Sequence, residues 1–518
     1  MWRAGTLRSH RWGPAAGSES FAPAAWAARP SSTSRGHPIR QAADRSRALA
    51  AFEQARRRHI LEPRLDHPLK LSARRAVRAA HDAVRTQLWP LPILGVAVAA
   101  ALGVLIPHLD LRVDAHLPPW MDAIVFSGDA GAARTVLDAV ASSLITVTSL
   151  TFSLTVVTLQ LASSQFSPRL LRTFTQDIFV QVTLAIFLAT FTFSLTVLRA
   201  VRSSDGSVSP FVPRLAVTTS FFLAVASVVC LVLFLAHLTR QIRVETMLRN
   251  VHLDATETVT TNLKPRGSTR PDPAANEKPP TDAEVLWAWQ SGFLLRIDQD
   301  QLSDAARAAG LTMTILRHPG DFVVDGTPLG ATWSPPGQPV SNRARATFDE
   351  KLRTSVHLGP ERTAAQDVGY GLRQLTDVTN KALSPGINDP TTAIHALGHS
   401  AALLAELTNY ELGPLVLCDA EGTVRVILHR PDFAHFMDLA VTQPRSYGKA
   451  DSQVLTRLYE LLRDVAWHAR PEHRQPIIEQ LDRLRATAHA QDFDESEFAH
   501  LDAAEWEVQL ALSGARRT

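Results

Sequence analysis

The apolar residues of this chain are concentrated in four long segments within its first half, and the residues on either side are largely polar. A helix needs about 20 mostly apolar residues to span a bilayer. Each segment has that length and carries no Asp, Glu, Lys or Arg in its interior. Because backbone groups in lipid must form their hydrogen bonds within the segment, we expect membrane helices. They are predicted at residues 88–107, 140–162, 179–198 and 214–238.

Basic residues in the flanking segments predict the orientation of these helices. Nine arginines and lysines lie between residues 56 and 85, before the first helix, and Arg240, Arg243 and Arg249 follow the last one. The loop at 108–134 carries only two arginines beside four aspartates. We therefore expect both termini in the cytoplasm.

The second predicted helix carries polar residues on two opposite faces, with apolar residues between them. These faces are compatible with a path for a solute or ion. The hydroxyls can equally bond to their own helix and mediate close packing. The absence of charged residues at this depth argues against a proton-coupled transporter. One face holds Ser142, Thr146, Ser149, Ser153 and Gln160, and the other holds Thr148, Thr151, Thr155 and Thr158.

The polar parts of the chain divide into several regions. Residues 1–70 form a basic N-terminal extension and lead-in whose first 40 residues have the composition of a transit peptide or of a disordered segment. Residues 71–245 form the membrane domain, and 246–283 a connector rich in Pro, Thr and charge. A small β module is predicted over 284–340. A mainly helical region follows over 341–512, with a strand pair near 414–429.

The β module is similar to half of a barrel-sandwich domain of the biotinyl or lipoyl type. The phrase HPGDFVVDGTPL at 318–329 predicts two strands joined by turns. No lysine occurs between Lys278 and Lys351, so a lysine at the hairpin tip cannot carry biotin or lipoate. The predicted fold class is thus four transmembrane helices plus an α+β cytosolic domain, with a small barrel-sandwich-like β module and a helical region.

A turn rich in side-chain oxygens interrupts the helical region. A helix is predicted over 362–383, and Pro385-Gly386 ends it. Asp389 then suits an N-cap with Pro390 at the first helical position. Capping and packing explain this turn, although its oxygens are also compatible with a hard cation, or its helix N-terminus with an anion. The oxygen-bearing residues are Ser384, Asn388, Asp389, Thr391 and Thr392.

Composition excludes several other classes of protein. The formal charge of +3 predicts no nucleic-acid partner, and Cys230 and Cys418 provide neither a disulfide scaffold nor zinc-ligand spacing. His395 and His399 have the i, i+4 spacing of metal ligands but lack the HExxH motif, and surface histidines often share this spacing. We find no nucleophile elbow, phosphate loop or kinase signature. The sequence predicts no enzyme, no bound metal and no cofactor.

Four motifs occur in a fixed order: ASSQFSPRLLRTFTQD, GDFVVDGTPL, ERTAAQDVGYGLRQL and ALSPGINDPTTA. The first includes a predicted amphipathic turn at 167–174, at the inner membrane interface. Together the motifs resemble those of a family of predicted bacterial integral membrane proteins that is defined as a domain of unknown function. The resemblance covers about residues 70–510 and implies a location in the bacterial plasma (inner) membrane. It implies no particular activity or substrate.

Two functions remain open at this stage. The polar faces of the second helix favour a channel or passive transport protein for a small ion or solute. Four helices are few for such a path, so a homo-oligomer is required. The large C-terminal region favours instead a membrane-anchored sensor or scaffold that binds a ligand or partner. An enzyme at the membrane surface, built from Asp367, Asp377, Asp389 and His395, has the least support.

Overall fold

The first membrane helix begins at Pro90, and the last helix of the chain ends at Ser513. The computed structural model describes residues 89–113, 125–165, 177–202, 211–241, 243–267, 279–334 and 340–514. All of them belong to one unit that spans residues 77–518. The extension predicted over 1–70 and the amphipathic turn predicted over 167–174 lie outside the described residues.

Four helices of the described residues are long and apolar enough to cross a membrane, as the hydropathy pattern predicts: α1 (Pro90–Val113), α2 (Ala130–Gln165), α3 (Ile178–Ala200) and α4 (Arg214–Gln241). Helix α3 lies at the centre and packs against the other three. Hydroxyl pairs join it to α4: the Oγ atoms of Ser194 and Ser220 are 2.7 Å apart. The bundle interior therefore combines apolar packing with buried hydrogen bonds.

Helix α2 begins at Ala130, earlier than the predicted start at residue 140. Asp129 explains the difference, because its carboxylate accepts a hydrogen bond from the backbone N–H of Ala132, 2.8 Å away, as an N-cap residue does. The helix therefore starts at a capping signal and includes Arg134 and Asp138, which an apolar criterion leaves out.

Asp110, near the end of α1, caps the start of a different helix, α4. Its two carboxylate oxygens accept hydrogen bonds from the backbone N–H groups of Leu215 and Ala216, at 3.1 and 3.2 Å. The first N–H groups of a helix have no partner within the helix, and the helix dipole favours a negative charge there. Asp110 is only 2% exposed, so this contact is a buried link between α1 and α4.

The C-terminal region contains nine helices and eight strands among its described residues. They are α5 (Val244–Asn262), β1 (Glu284–Trp287), β2 (Gly292–Ile297), α6 (Gln299–Ala309), β3 (Thr312–Ile315), β4 (Phe322–Val323), β5 (Pro328–Trp333), α7 (Asn342–Ser355), β6 (Val356–Gly359), α8 (Tyr370–Ala382), α9 (Pro390–Leu407), β7 (Leu415–Cys418), β8 (Val424–Leu428), α10 (Phe433–Tyr447), α11 (Ser452–His468), α12 (Pro471–His489) and α13 (Glu495–Ser513).

The strands form two sheets around one core. The five-stranded sheet has the order β1-β5-β3-β8-β7, and the three-stranded sheet has the order β4-β2-β6. Only β3 and β8 are paired in parallel; the other pairs are antiparallel. Residues of both sheets, such as Leu294 and Met313, share a core with Leu302 of α6 and Phe348 of α7. Neither sheet closes into a barrel within the described residues.

The phrase at 318–329 does not form the predicted hairpin. Its two strands enter different sheets: β4 pairs with β2, whereas β5 pairs with β1 and β3. The two strands have different neighbours: β4 has only two residues and lies at an edge of the three-stranded sheet, beside β2. Residues 318–329 therefore cross from one sheet to the other, and the two sheets share a core. No local pattern of turn residues indicates this crossover.

The helix predicted over 362–383 begins only at Tyr370, so its first eight residues were assigned wrongly. The side chain of Gln366 explains this. Its oxygen accepts a hydrogen bond from the backbone N–H of Ile297, and its nitrogen donates to the carbonyl of the same residue, at 2.8 and 3.1 Å. These two hydrogen bonds to β2 hold the segment in an irregular conformation.

The helical region packs around α5, α8 and α9. Helix α5 follows α4 after two residues and buries one face, including Val251 and Val259, against α8 and α9. Helices α10 to α13 then pack on α8 and α9 and on one another. The connector predicted over 246–283 thus contains most of α5, which joins the membrane helices directly to the C-terminal core.

Candidate functional site

The threonine face of α2 points into the bundle. Thr148, Thr151, Thr155 and Thr158 are each at most 8% exposed. Three of them bond to their own helix: Thr155 Oγ1, for example, donates to the carbonyl of Thr151, 2.8 Å away. The hydroxyl of Thr151 is buried without a hydrogen-bond partner among the described residues. This face belongs to the packing between α2 and its neighbours within one chain.

The opposite face of α2 is exposed on the outside of the chain. Ser142 and Thr146 bond to backbone carbonyls of their own helix, at 3.3 and 3.1 Å. Ser149, Ser153 and Gln160 have no hydrogen-bond partner among the described residues. We call the exposed residues Ser142, Thr146, Ser149, Ser153 and Gln160 the outer stripe.

The turn before α9 is built around the predicted cap. Asp389 precedes Pro390 and accepts hydrogen bonds from the backbone N–H and the hydroxyl of Thr392, at 3.0 and 2.6 Å. The hydroxyl of Thr392, followed by its backbone N–H, lowers the pKa of Asp389. Asn388 has a positive φ of 49°, and Ser384 donates to the carbonyl of Lys381. Asn388 and Thr391 are exposed. Binding of an ion by this turn stays a prediction.

His395 and His399 lie in a shallow pocket near the start of α5, with Glu245 and Arg457. The ring of His399 also faces that of His252 on α5, with a centroid distance of 5.4 Å. Burial, and then the neighbouring histidines, lower the pKa of His399. Among the described residues, no group of three or more His, Cys, Asp or Glu side chains is arranged to hold a metal ion.

A cleft lies where the sheets, the helical region and the end of α5 meet. Its empty volume is about 620 Å³, which includes space open to solvent. The lining is mostly apolar and includes Ile297, Leu412 and Phe436. One of the segments that carry the family resemblance contributes residues 366–369, and Pro319, directly before a second such segment, also lines the cleft. The cleft therefore brings together parts of the chain that are far apart in the sequence.

One wall of the cleft contains a buried ion pair. The carboxylate of Asp367 accepts a hydrogen bond from the guanidinium of Arg362, and Asp367 is 3% exposed. Burial raises the pKa of the Asp367 carboxyl, and Arg362 opposes this shift. Gly320 lies directly over the pair: a Cβ atom there would be 2.4 Å from Asp367 Oδ2 and 2.9 Å from Arg362 Nε. The two motif segments therefore meet at this pair.

A second cation of the cleft, Arg430, is less well compensated. Its Nε donates to the carbonyl of Gly413, 3.2 Å away. Its terminal nitrogens have no hydrogen bond or ion pair among the described residues. Burial lowers the pKa of the Arg430 guanidinium, and Glu411 opposes this only in part. Arg430 thus provides donors in the cleft that no described protein group uses.

Sequence reasoning missed Asp110, Asp177 and the cleft residues other than Asp367. Asp177 could have been identified from the sequence, because an aspartate directly before an apolar helix is a typical N-cap residue. In the structure its Oδ1 accepts a hydrogen bond from the N–H of Phe179, 2.9 Å away. Arg430 follows a strand without any motif, so only the fold reveals its surroundings. Among the predicted candidates, Asp367 and Asp389 have separate partners, Arg362 and Thr392.

Comparison with known proteins agrees with this architecture. A family model described as a predicted membrane protein (DUF2254) matches residues 85–464. The chain belongs to this family. It is 36% identical over 428 residues to an uncharacterized protein of Mycobacterium tuberculosis (strain H37Rv), and the match covers 82% of this chain and 80% of that protein. An uncharacterized protein of Mycobacterium bovis matches with the same identity and coverage. No solved structure shows significant similarity.

Proposed function

We propose that the protein forms a passive path for a small ion or solute at the axis of a homo-oligomer, with the outer stripe of each α2 lining the path. The supporting observation is the exposure of Gln160, Ser149 and Ser153, which lack hydrogen-bond partners among the described residues. An amide without partners costs several kcal/mol in lipid. Contact with water or with another copy removes this cost.

The position of the stripe supports a path between copies. Its residues lie on the outside of a single chain, whereas the threonine face is used in packing inside the chain. Leu150 and Phe152, which flank the stripe, are 62% and 56% exposed and suit contact with lipid or with a second copy. Residues 139–165 contain no charged side chain. Proton-coupled transport normally uses ionisable groups at membrane depth, so we propose passive transport without enzymatic activity.

Disulfide cross-linking tests the assembly. In a chain with Cys230→Ala and Cys418→Ala, we expect Ser149→Cys or Ser153→Cys to give disulfide-linked dimers in native membranes under mild oxidation. Thr151→Cys is the matched control, because Thr151 is 1% exposed and faces the bundle interior. Monomers only, or equal cross-linking of all three variants, would contradict the assembly around α2.

Flux through reconstituted liposomes tests the path itself. We expect wild-type protein to release small ions or solutes, and Gln160→Leu or Ser149→Leu to reduce the flux at least severalfold by making the lining apolar. Ser143→Leu is the control: Ser143 is exposed on the same helix but outside the stripe, and its hydroxyl bonds to the carbonyl of Ala139, 2.6 Å away. An absence of wild-type flux, or equal flux in all variants, would refute the proposal.

We further propose a plasma membrane location with both termini in the cytoplasm, so that the C-terminal region regulates the path from that side. The supporting observation is the excess of arginine before the first helix and after the last. A fluorescent protein fused after Thr518 is expected to be bright, because it folds in the cytoplasm. Alkaline phosphatase inserted between residues 114 and 124 is expected to be active outside. The reverse pattern would overturn this orientation.

A further inference from the structure

The cleft of the C-terminal region contains a cation without a full set of partners. A guanidinium has five N–H donors, and the described residues provide Arg430 with one acceptor, the carbonyl of Gly413. The terminal nitrogens of Arg430 are not among the fully buried polar atoms of the described residues, so they can reach solvent or a ligand. The loop that carries Gly413 is held in place, because the backbone N–H of Gly413 donates a hydrogen bond to the carbonyl of Pro431, 3.0 Å away. Arg430 is therefore held in the cleft with its free end available.

The nearby carboxylates do not neutralise this cation. Asp367 lines the same cleft, but its carboxylate is paired with the guanidinium of Arg362. Glu411 favours the charged form of Arg430, yet burial has the larger effect, and the net result is a lowered pKa for the guanidinium. Carboxylates of the described residues therefore compensate the positive charge of Arg430 only in part.

The other walls of the cleft define the rest of a ligand. Val368 and Leu412 are partly exposed apolar residues of the lining, and Asn262 and Gln299 also line the cleft. A pocket that is mainly apolar with few polar groups is typical of sites for small organic molecules. We propose that this cleft binds a small organic anion, with one carboxylate or phosphate group on Arg430 and an apolar body against Val368 and Leu412. This inference does not depend on the path proposed for α2.

Binding of simple probes to the full-length protein in detergent tests the site. Benzoate and phenyl phosphate carry the proposed anion on an aromatic body, whereas benzyl alcohol has nearly the same body without charge. By isothermal titration calorimetry we expect both anions to bind at least tenfold more tightly than benzyl alcohol. Inorganic phosphate alone should bind more weakly than phenyl phosphate, because it lacks the apolar body.

Substitution of Arg430 tests the anchor. We expect Arg430→Gln to weaken both anions at least tenfold, and without ligand to keep or raise the melting temperature, because a charge that is compensated only in part is removed. Arg474→Gln is the control, since Arg474 is an exposed residue of α12 outside the cleft. A purely structural Arg430 would give the opposite result: a lower melting temperature and unchanged anion affinity.

Filling the cleft provides an independent variant that keeps Arg430. Leu412 lines the cleft, and we expect Leu412→Trp to abolish binding of both anions by occupying the space of the apolar body. If Arg430→Gln does not fold, Leu412→Trp still tests whether the anions bind in the cleft. The proposal is overturned if wild-type protein binds neither anion, if benzyl alcohol binds as tightly as benzoate, or if Leu412→Trp binds like wild type.

Discussion

The Oδ2 atom of Asp177 lies 2.6 Å from Nε2 of His237, so the start of α3 is joined to the end of α4. The same oxygen accepts a hydrogen bond from Gln241, at 3.4 Å, while Oδ1 caps α3. The ring of Phe179 packs on His237, with a centroid distance of 4.6 Å. One carboxylate thus caps the start of one membrane helix and holds the end of another, where the C-terminal region begins.

Removal of this carboxylate is expected to destabilise the bundle more than loss of a cap alone. Loss of an N-cap costs about 1 kcal/mol, and hydrogen bonds to a charged group add roughly 1.5–3 kcal/mol. We therefore expect Asp177→Ala to lower the melting temperature in detergent clearly more than Asp129→Ala, which removes a cap without an interhelical contact. Equal effects of the two substitutions would show that the contact with His237 contributes nothing.

Gly320 allows one motif segment to lie over the Arg362–Asp367 pair. Its φ is +98°, and a Cβ would collide with both side chains. We expect Gly320→Ala to cost more than about 1–2 kcal/mol, the cost of the left-handed backbone alone. Gly326→Ala is a matched control, since Gly326 has φ +73° and no atom within 4 Å of its Cβ position. Comparison of the two melting temperatures isolates the collision with the pair.

Stability is expected to fall as the pH drops below about 6.5, the ordinary pKa of histidine. Burial lowers the pKa of His399 and His435, and that of His473 to about 4. The unfolded chain therefore binds more protons than the folded chain in this range, which favours unfolding. For His473 the effect reaches on the order of 3 kcal/mol at pH 4.

His473→Gln tests the largest of these contributions. The His473 ring stacks on Phe433, and its Nε2 is 3.4 Å from a nitrogen of Arg266. Protonation of the ring would therefore place two positive charges side by side. We expect the variant to lose less stability than wild type between pH 6.5 and pH 4.5 in thermal unfolding. His399→Gln should remove a separate, smaller part of the pH dependence. An unchanged pH profile in both variants would contradict this assignment.

The turn before α9 provides a test that separates capping from ion binding. Because Asp389 satisfies the N–H of Thr392, Asp389→Ala is expected to lower stability by about 1 kcal/mol. Calcium chloride or inorganic phosphate should then change the melting temperatures of wild type and of Asp389→Ala by the same amount. A rise in melting temperature with either ion, abolished by Asp389→Ala, would assign the turn to ligand binding instead.

Features that depend on neighbouring residues were predictable from the sequence. The four membrane helices follow from length and hydropathy, and the start of α9 follows from the Asp389-Pro390 capping signal. The strand pair β7 and β8 follows from two mainly apolar runs on either side of the turn at Gly422. In each case the interactions that determine the element lie within the element or at its end.

Features that depend on distant partners were not predictable. The irregular segment before Tyr370 is held by Gln366 on β2, and α4 is capped by Asp110 of α1. The cleft combines Asn262 with Arg430, which are far apart in the chain. No periodicity or local motif records such contacts, so the ion pair and the cation of the cleft become visible only once the chain is folded.

Helix α5 gives the molecule a mechanical property. It starts two residues after α4, and its last residue, Asn262, lines the cleft. Its 19 residues form an arm of about 28 Å. A helix is stiffer than a loop, so the end of α4 and the cleft are connected through one rigid element, which α8 and α9 hold along its side.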